Sequence, residues 1–443
     1  MFIKKHIYEI YQLFVVLISL IAWLSSIYGI IIMCVGLIGS LLMKKFKYVM
    51  PWLLNFVFTI NVNLSLNIKI NPIFYIVFVV AILSLIVYSF LMWKKIKVGN
   101  SKLVLLLMAF ITLLPIIWTK AIQNTHLLLY FSWFLYSLFY FVTIYSNDED
   151  NKEVFSLSMV NLGLLIAFEV IITSIKYNGF NLDNILSNSL RVGWGIFNEC
   201  GIMILVCIPY IFYFINTKKL PICNIIKLIL LLIASFLTNS RGTYIFGLML
   251  LLFMIGLLIL LNKKNKIIYI TISLISILLI LFSVIFHSEI NILINKIRQL
   301  VFYNGLSSNG RFELYNYGIT KLISEPKFII FGMGFVESYY IDFNHVSSMK
   351  DIFIVYHSTL IQTLSIGGIV GLIVFGWFCY KRYSLLIKGI SDDLYKFILI
   401  GLIPIELYGL IDNTYHMFYY MIPLVISMGI FETSNKRKEE MLC

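Results

Sequence analysis

The sequence predicts an all-α membrane protein, a polytopic bundle of transmembrane helices. Of its 443 residues, 60% are hydrophobic and only 12% are charged, whereas soluble domains carry roughly a quarter charged residues. Apolar stretches long enough to cross about 30 Å of hydrocarbon recur along the whole chain. We therefore expect a single integral membrane domain over residues 1–443.

Short basic linkers predict which side of the membrane each connection occupies. Lysine and arginine cluster at 44–47, 94–97, 262–266 and 436–438, among other linkers. Basic loops are typical of the cytoplasmic side. Topology therefore accounts for the net charge of +13, and no nucleic-acid partner is expected. Fixing these linkers inside also places both termini in the cytoplasm.

The same assignment of the basic linkers to the cytoplasmic side predicts about 12–14 spans. No small-residue cleavage site follows the first apolar run, so we expect it to be retained as a helix and not removed as a signal peptide. The boundaries are least distinct for the first three spans and for the pair over 224–261. The expected spans lie near residues 8–25, 27–43, 48–66, 72–93, 103–118, 127–145, 154–175, 200–216, 224–239, 240–261, 267–286, 361–380, 394–411 and 414–431.

One hydrophilic segment is long enough to form a subdomain. Residues 287–360 form a predicted extracytoplasmic loop, and long ordered loops are usually functional. Its first part, 287–302, has apolar residues at helical spacing, as an interfacial helix would. A second helix is expected around Arg311, with Ser308 or Asn309 as its cap. We expect this partly helical loop to carry part of the active site.

Three arginines on the predicted outer face stand at helix entrances. Arg311 lies at the start of the loop helix, Arg241 lies where one span ends and the next begins, and Arg191 precedes the span near 200. Free N–H groups and the helix dipole favour an anion there, and a guanidinium binds two phosphate oxygens at once. The set predicts a diphosphate site. The alternative is that these arginines snorkel to the interface.

His357, at the end of the loop, is the predicted general base. Imidazole is suited to take a proton from a sugar hydroxyl near neutral pH. Five of the six histidines fall on the predicted outer face, His416 among them. A solvated or capping role is the alternative for each. No spacing in the sequence is typical of metal ligation, so neither a metal nor another cofactor is expected.

Four segments, in this order, resemble the O-antigen ligase and polymerase family of bacterial membrane glycosyltransferases. They are "RVGWGIFNE" (191–199), "NSRGTYIFG" (239–247), "SSNGRFELYNYGITKLISEPKFIIFGMGF" (307–335) and "YHSTLIQTLSIGGIVGLIVF" (356–375). The resemblance implies that Arg241 and Arg311 bind the diphosphate of an undecaprenyl-linked glycan, and that His357 is the base. The chain departs from the family in having "NEC" (198–200) for Asn-Pro-Asn, and Ser358 for asparagine.

The resemblance implies a metal-independent glycosyltransferase in the cell membrane, with its active site on the extracytoplasmic face. We expect a polymerase that joins polyprenyl-diphosphate-linked oligosaccharide units into a cell-surface polysaccharide. A ligase that transfers the glycan to a lipid core or wall acceptor is one alternative, and a flippase is another. Besides the bilayer, a flippase and a chain-length regulator are considered as partners. The expected substrate-binding residues are Arg191, Trp194, Asn309, Tyr315 and Tyr356, with interfacial anchoring as the alternative for the aromatic rings.

Acidic residues within the spans bear on the transporter alternative. Transporters usually have charged residues at the membrane midplane and paired broken helices in two related halves. In this chain only Glu169 and Glu406 lie clearly inside predicted spans, and no two halves match. We expect Glu406 to pair helices, with ion coupling as the alternative.

Overall fold

The computed structural model describes residues 2–25, 27–59, 72–92, 99–119, 129–147, 150–179, 191–217, 221–262, 311–335 and 356–442. Within these ranges the regular elements are helices, and the extended pairing is an isolated bridge between Arg191 and Ile196. The all-α prediction is confirmed. The predicted interfacial helix 287–302, the predicted span 267–286 and the cap candidates Ser308 and Asn309 lie outside the described residues.

The helices agree closely with the predicted spans. In chain order they are α1 (Phe2–Leu24), α2 (Ile27–Leu42), α3 (Phe46–Asn55), α4 (Pro72–Met92), α5 (Lys102–Leu113), α6 (Ser132–Ser146), α7 (Lys152–Asn178), α8 (Phe197–Asn216), α9 (Pro221–Leu237), α10 (Arg241–Leu261), α11 (Arg311–Ile323), α12 (Pro326–Phe331), α13 (Thr359–Lys388), α14 (Asp393–Ile411) and α15 (Phe418–Leu442). Among the described residues, six helices are long and apolar enough to cross a membrane, and shorter apolar helices accompany them. The chain is therefore a multi-pass membrane protein.

The helix predicted over 48–66 is shorter than expected. α3 ends at Asn55 and is followed by a 3-10 segment, Val57–Thr59. Ten residues of α-helix rise only about 15 Å, half of the hydrocarbon thickness. The side-chain amide of Asn55 donates a hydrogen bond to Ser19 of α1 at 3.0 Å, so this end of α3 lies inside the bundle.

Helices α7 and α8 form the interior of the bundle. α8 packs against α7, α9, α10 and α14, and most of its side chains are buried. Small residues allow these approaches. A Cβ atom added to Gly163 of α7 would come within 2.9 Å of Cys207, and one added to Gly401 of α14 within 2.4 Å of Pro209. The close crossings on both sides of α8 therefore require glycine.

Helix α13 is kinked at Gly368, whose φ of +62° is non-helical. A Cβ atom there would lie 2.4 Å from the carbonyl oxygen of Ile330 in α12. Just after α12, the N–H of Met333 donates to the carbonyl of Ser365 at 2.8 Å. The residues after α11 are thus docked against the first turns of α13.

The bundle has two polar ends, which the predicted topology assigns to opposite sides of the membrane. At the end with the basic linkers, Lys152 at the start of α7 pairs with Asp392 before α14 at 2.6 Å. Asn216 at the end of α8 donates to Asp393 at 3.0 Å. The other end contains the starts of α8, α10 and α13 and the end of α14. The predicted site residues that the structure describes therefore lie at this second end.

Candidate active site

The turn that joins α14 to α15, residues 412–417, is fastened to the start of α13. Alternate residues of this turn contact α13 or the residues just before it. The pairs are Asp412 with His357 at 3.2 Å, Thr414 with Thr359 at 3.4 Å, and His416 with Thr363 at 2.9 Å. The contacts place a carboxylate beside the predicted general base.

His357 has an unusual backbone conformation. Its φ is +49°, in the left-handed region, which costs a non-glycine residue of order 1–3 kcal/mol when the surroundings impose it. Its carbonyl oxygen accepts a hydrogen bond from the hydroxyl of Tyr315 at 3.1 Å. Its ring contacts Asp412, whose carboxylate also accepts from the N–H of Asn413 at 2.8 Å. These contacts hold a strained residue in place.

The His357–Asp412 pair is arranged for proton transfer. The His357 side chain is 35% exposed and that of Asp412 is 18% exposed, so the imidazole is accessible while its partner is mostly covered. The contact is made through Nδ1 of the histidine. When Nδ1 carries the proton and donates it to Asp412, Nε2 keeps a lone pair that can accept a proton. This is the arrangement of a general base oriented by a carboxylate.

Arg241 is the first residue of α10 and is exposed. The preceding Ser240 caps the helix, because its hydroxyl accepts a hydrogen bond from the N–H of Thr243 at 3.2 Å. Asn239 before it has a φ of +53°, a left-handed conformation that asparagine tolerates better than most residues. The sequence "NSRG" thus turns the chain sharply and presents Arg241 at a helix N-terminus, as predicted.

The start of α10 is connected to the residues that hold His357. The Ser240 hydroxyl donates to the side chain of Asn198, in the first turn of α8, at 2.7 Å. It also lies 3.0 Å from the hydroxyl of Tyr408 in α14. The carbonyl of Tyr408 accepts from the N–H of Asp412 at 3.0 Å. A chain of contacts therefore links the Arg241 helix start to the His357–Asp412 pair.

Arg191 lies beside the start of α8. It pairs through its backbone with Ile196, the residue before that helix, and its side chain is exposed. Between them, the carbonyl of Val192 accepts from the indole of Trp23 in α1 at 2.8 Å, and the N–H of Ile196 donates to Glu199 at 2.8 Å. These bonds fix the turn and keep Arg191 at a helix entrance.

Helix α11, which begins with Arg311, packs against the residues that precede α13. Tyr315, one turn into the helix, makes the bond to His357 described above. A Cβ atom on Gly318 would lie 2.6 Å from the ring of Tyr356, so this crossing requires glycine. The backbone of Arg311 is therefore at a helix start near His357. Its side chain lies outside the described part of the structure.

Two predicted sugar-binding rings lie in the protein interior. Trp194 is 8% exposed, and its indole donates to the carboxylate of Glu169 in α7 at 2.6 Å. It also packs edge-on against Phe58, with centroids 4.7 Å apart. Tyr356 is fully buried. In this structure both rings contact protein, and their contact with sugars stays a prediction.

His416 differs from His357 although both lie at the same end. It is 2% exposed, and its Nε2 is 2.9 Å from the hydroxyl of Thr363. Burial lowers the pKa of His416 to about 3. The other histidines predicted on this face, His126, His287 and His345, lie outside the described residues. Of the two that the structure describes, only His357 combines access with a carboxylate partner.

Two acidic residues of this end were not among the predicted site residues. Asp412 follows the predicted span 394–411 directly, and Glu199 is the acidic residue of the "NEC" segment. Glu199 interacts electrostatically with both Asp412 and His357. Asp412 directly follows a span that is predicted to end at the extracytoplasmic face, and this position is the sequence signal that could have identified it as a site residue. In the described ranges, no group of three His, Cys, Asp or Glu side chains is placed to hold a metal ion.

Comparison with protein families bears on these motifs. Residues 226–376 match the family model described as O-antigen ligase. The predicted resemblance to the O-antigen ligase and polymerase family is confirmed. A search of curated proteins found no match.

The matched segment contains two of the three predicted arginines and the predicted general base. Arg241, Arg311 and His357 lie within 226–376, whereas Arg191 and Asp412 lie outside it. The family supports a glycosyltransferase-type enzyme that acts on lipid-linked glycans in a membrane. The structure adds Asp412, which reaches His357 from beyond the end of the match.

Proposed function

We propose that this protein is a polymerase that joins polyprenyl-diphosphate-linked oligosaccharide units at the extracytoplasmic face of the membrane. The observation that carries the proposal is the His357–Asp412 pair, held at the same bundle end as the exposed Arg241. A base of this kind serves a chemical step, which a flippase does not need. No observation favours the flippase alternative.

The arginines bind the leaving group in this proposal. Arg241 and Arg311 both begin helices, where N–H groups and the helix dipole already favour anions. Their guanidinium groups hold the diphosphate of the donor lipid, with Arg191 as a third contact. As the bond between the anomeric carbon and the phosphate oxygen breaks, these groups stabilise the charge that develops on the diphosphate.

His357 acts on the acceptor in this proposal. Its Nε2 takes the proton of an acceptor hydroxyl while that oxygen forms a bond to the anomeric carbon. Asp412 orients the imidazole and stabilises the imidazolium that results. The products are a glycan longer by the donor unit, a free polyprenyl diphosphate and a proton, which His357 releases to solvent. Both substrates are lipid-anchored, and their positioning at one interface contributes further acceleration.

The polymerase is tested by supplying the donor alone. Purified protein in lipid is incubated with a polyprenyl-diphosphate oligosaccharide, and glycan length is followed by gel or mass spectrometry. A polymerase produces chains of several units, because the donor also serves as acceptor. The second candidate is a ligase, favoured by the description of the matched family. Growth only when a separate lipid core or wall acceptor is added would establish the ligase and overturn the polymerase.

The side of the membrane is tested separately. The basic linkers predict that residues 287–360 lie outside, and Ser307 within them offers a position for a single accessible cysteine. In intact cells, Ser307→Cys should react with a membrane-impermeant thiol reagent, whereas a cysteine at Lys264 should not. Reaction at Ser307 only after permeabilisation would move the site to the cytoplasmic face.

A further inference from the structure

An ion pair between a buried arginine and a partly buried glutamate joins α13 to α14. Arg382 is 3% exposed, and its Nη1 lies 2.6 Å from Oε1 of Glu406. Charges within a membrane bundle are costly, and well-packed apolar residues usually join two helices at no loss of stability. Glu406 was expected to pair helices, and it does. The cost of the pair points to a further role.

Tyr415 connects this ion pair to the turn at the active site. Its hydroxyl accepts a hydrogen bond from Arg382 and donates one to Glu406. Its ring packs edge-on against Phe375, with centroids 5.0 Å apart, and against Phe378. Tyr415 is itself buried. The tyrosine is therefore fixed by two rings of α13 and by hydrogen bonds to one charged residue on α13 and one on α14.

The 412–417 turn is thus held from two directions. Residues 412, 414 and 416 contact the start of α13, as described above, and Tyr415 extends instead to the ion pair. A shift of the turn along α13 would break the hydroxyl contacts of Tyr415, whose partners are charged. Hydrogen bonds to charged groups are stronger than neutral ones. The ion pair consequently restricts where Asp412 can lie.

We propose that Tyr415 is a positioning residue, through which the Arg382–Glu406 pair holds Asp412 against His357. The inference rests on the proposed function, since the purpose of the arrangement is to orient the general base. Tyr415 touches no substrate in this account. It acts only through the turn that carries Asp412.

Tyr415→Phe tests the proposal because it removes the hydroxyl and keeps the ring. The matched control is Tyr420→Phe: the Tyr420 hydroxyl also accepts from Arg382, at 3.4 Å, but Tyr420 belongs to α15 and not to the turn. We expect Tyr415→Phe to lower kcat about tenfold with little change in KM for the lipid-linked donor, which corresponds to a misplaced catalytic group. Tyr420→Phe should stay within about twofold of wild type.

A coupling measurement separates positioning from general damage. In an Asp412→Asn background, Tyr415→Phe should lower kcat no further, because two residues that act through one contact are not additive. If Tyr415→Phe lowers kcat by the same factor in both backgrounds, it does not act through Asp412. An unchanged kcat in the single variant would also overturn the inference.

A second readout does not depend on activity. The hydroxyls of Thr359 and Thr414 lie 3.4 Å apart, so cysteines at both positions report the place of the turn. Oxidative cross-linking of this pair should slow several-fold when Tyr415→Phe is added and stay unchanged with Tyr420→Phe. Equal cross-linking in all three proteins rejects the positioning role. An inactive wild type with the expected cross-linking rates would instead reject the proposed function and keep the positioning of the turn.

Discussion

His357 and His416 lie at the same end of the bundle, and each contacts a residue across the junction between α13 and the 412–417 turn. His357 is partly exposed and contacts the carboxylate of Asp412. His416 is buried between the rings of Trp133 and Phe335, and its Nε2 contacts the hydroxyl of Thr363. Similar positions therefore give one accessible histidine beside a carboxylate and one buried histidine beside a hydroxyl.

Under the proposed function, this difference explains why His357 and not His416 is the base. Both histidines border membrane spans, and both have a hydrogen-bond partner. A carboxylate stabilises the protonated imidazole, whereas a hydroxyl in an apolar site does not, and burial lowers the pKa of His416 to about 3. In the proposed mechanism, solvent access and a charged partner therefore distinguish the base, whereas closeness to the site does not.

After His357, the largest effect is expected for the two arginines that begin α10 and α11. Arg241→Lys and Arg311→Lys should each lower turnover roughly 100- to 1000-fold, as expected for removing donors that stabilise a developing anion. The ammonium group of lysine cannot replace the planar guanidinium group, which binds two oxygens at once. The control is Lys327→Gln, an exposed lysine of α12 that pairs with Glu325. Steady-state release of polyprenyl diphosphate measures all three. Wild-type turnover in both arginine variants would show that these cations only anchor the protein in the interface.

An intermediate effect is expected when the partner of His357 is neutralised. Asp412→Asn keeps the size of the side chain but removes the charge that stabilises the imidazolium, so kcat should fall roughly tenfold to a hundredfold. Asp393→Asn, at the opposite end of α14, is the matched control and should stay near wild type. If the two variants have equal kcat values, the carboxylate does not distinguish His357 from His416.

The smallest effect is expected for His416, and it concerns stability. Its lowered pKa means that the unfolded chain binds the proton more readily than the folded protein. The stability contribution is complete above about pH 6.5 and is lost as the pH falls toward 3, by about 1.4 kcal/mol per pH unit, or about 2 kcal/mol at pH 5. Thermal unfolding in detergent at about pH 7.5 and about pH 5 measures this loss.

His416→Gln is the matched variant for that measurement. Glutamine can retain a hydrogen bond to Thr363 but does not titrate, so its Tm should fall less than the wild-type Tm between the two pH values. Its turnover should remain within about twofold of wild type. An identical pH dependence of Tm in both proteins would show that His416 is not the buried neutral group described here.

The helices were largely predictable because each apolar run is long, and because local signals end it. Ser240 before Arg241 is an N-cap that the sequence displays, and the helix that begins with Arg311 was expected from the same kind of signal. α3 was an exception, since the apolar run continues after Asn55 while the helix does not. A contact with Ser19, far away in sequence, accompanies that end.

The site could be predicted only in part. The three arginines and His357 were recognisable because each borders a helix, and the family match includes three of these four residues. Asp412 was not singled out, because a lone carboxylate in a short turn has no pattern until the fold brings it to His357. The burial of Trp194 and Tyr356 likewise depends on packing between distant helices, which periodicity along the chain does not show.

The most direct test of the account follows both binding and chemistry in His357→Ala. The account predicts that this variant folds and binds the lipid-linked donor like wild type, because the arginines hold the diphosphate. It should release polyprenyl diphosphate roughly 100- to 10,000-fold more slowly, as expected for the loss of a general base, while His416→Gln stays near wild type. Equal release by His357→Ala and wild type would contradict the assignment of His357 as the base.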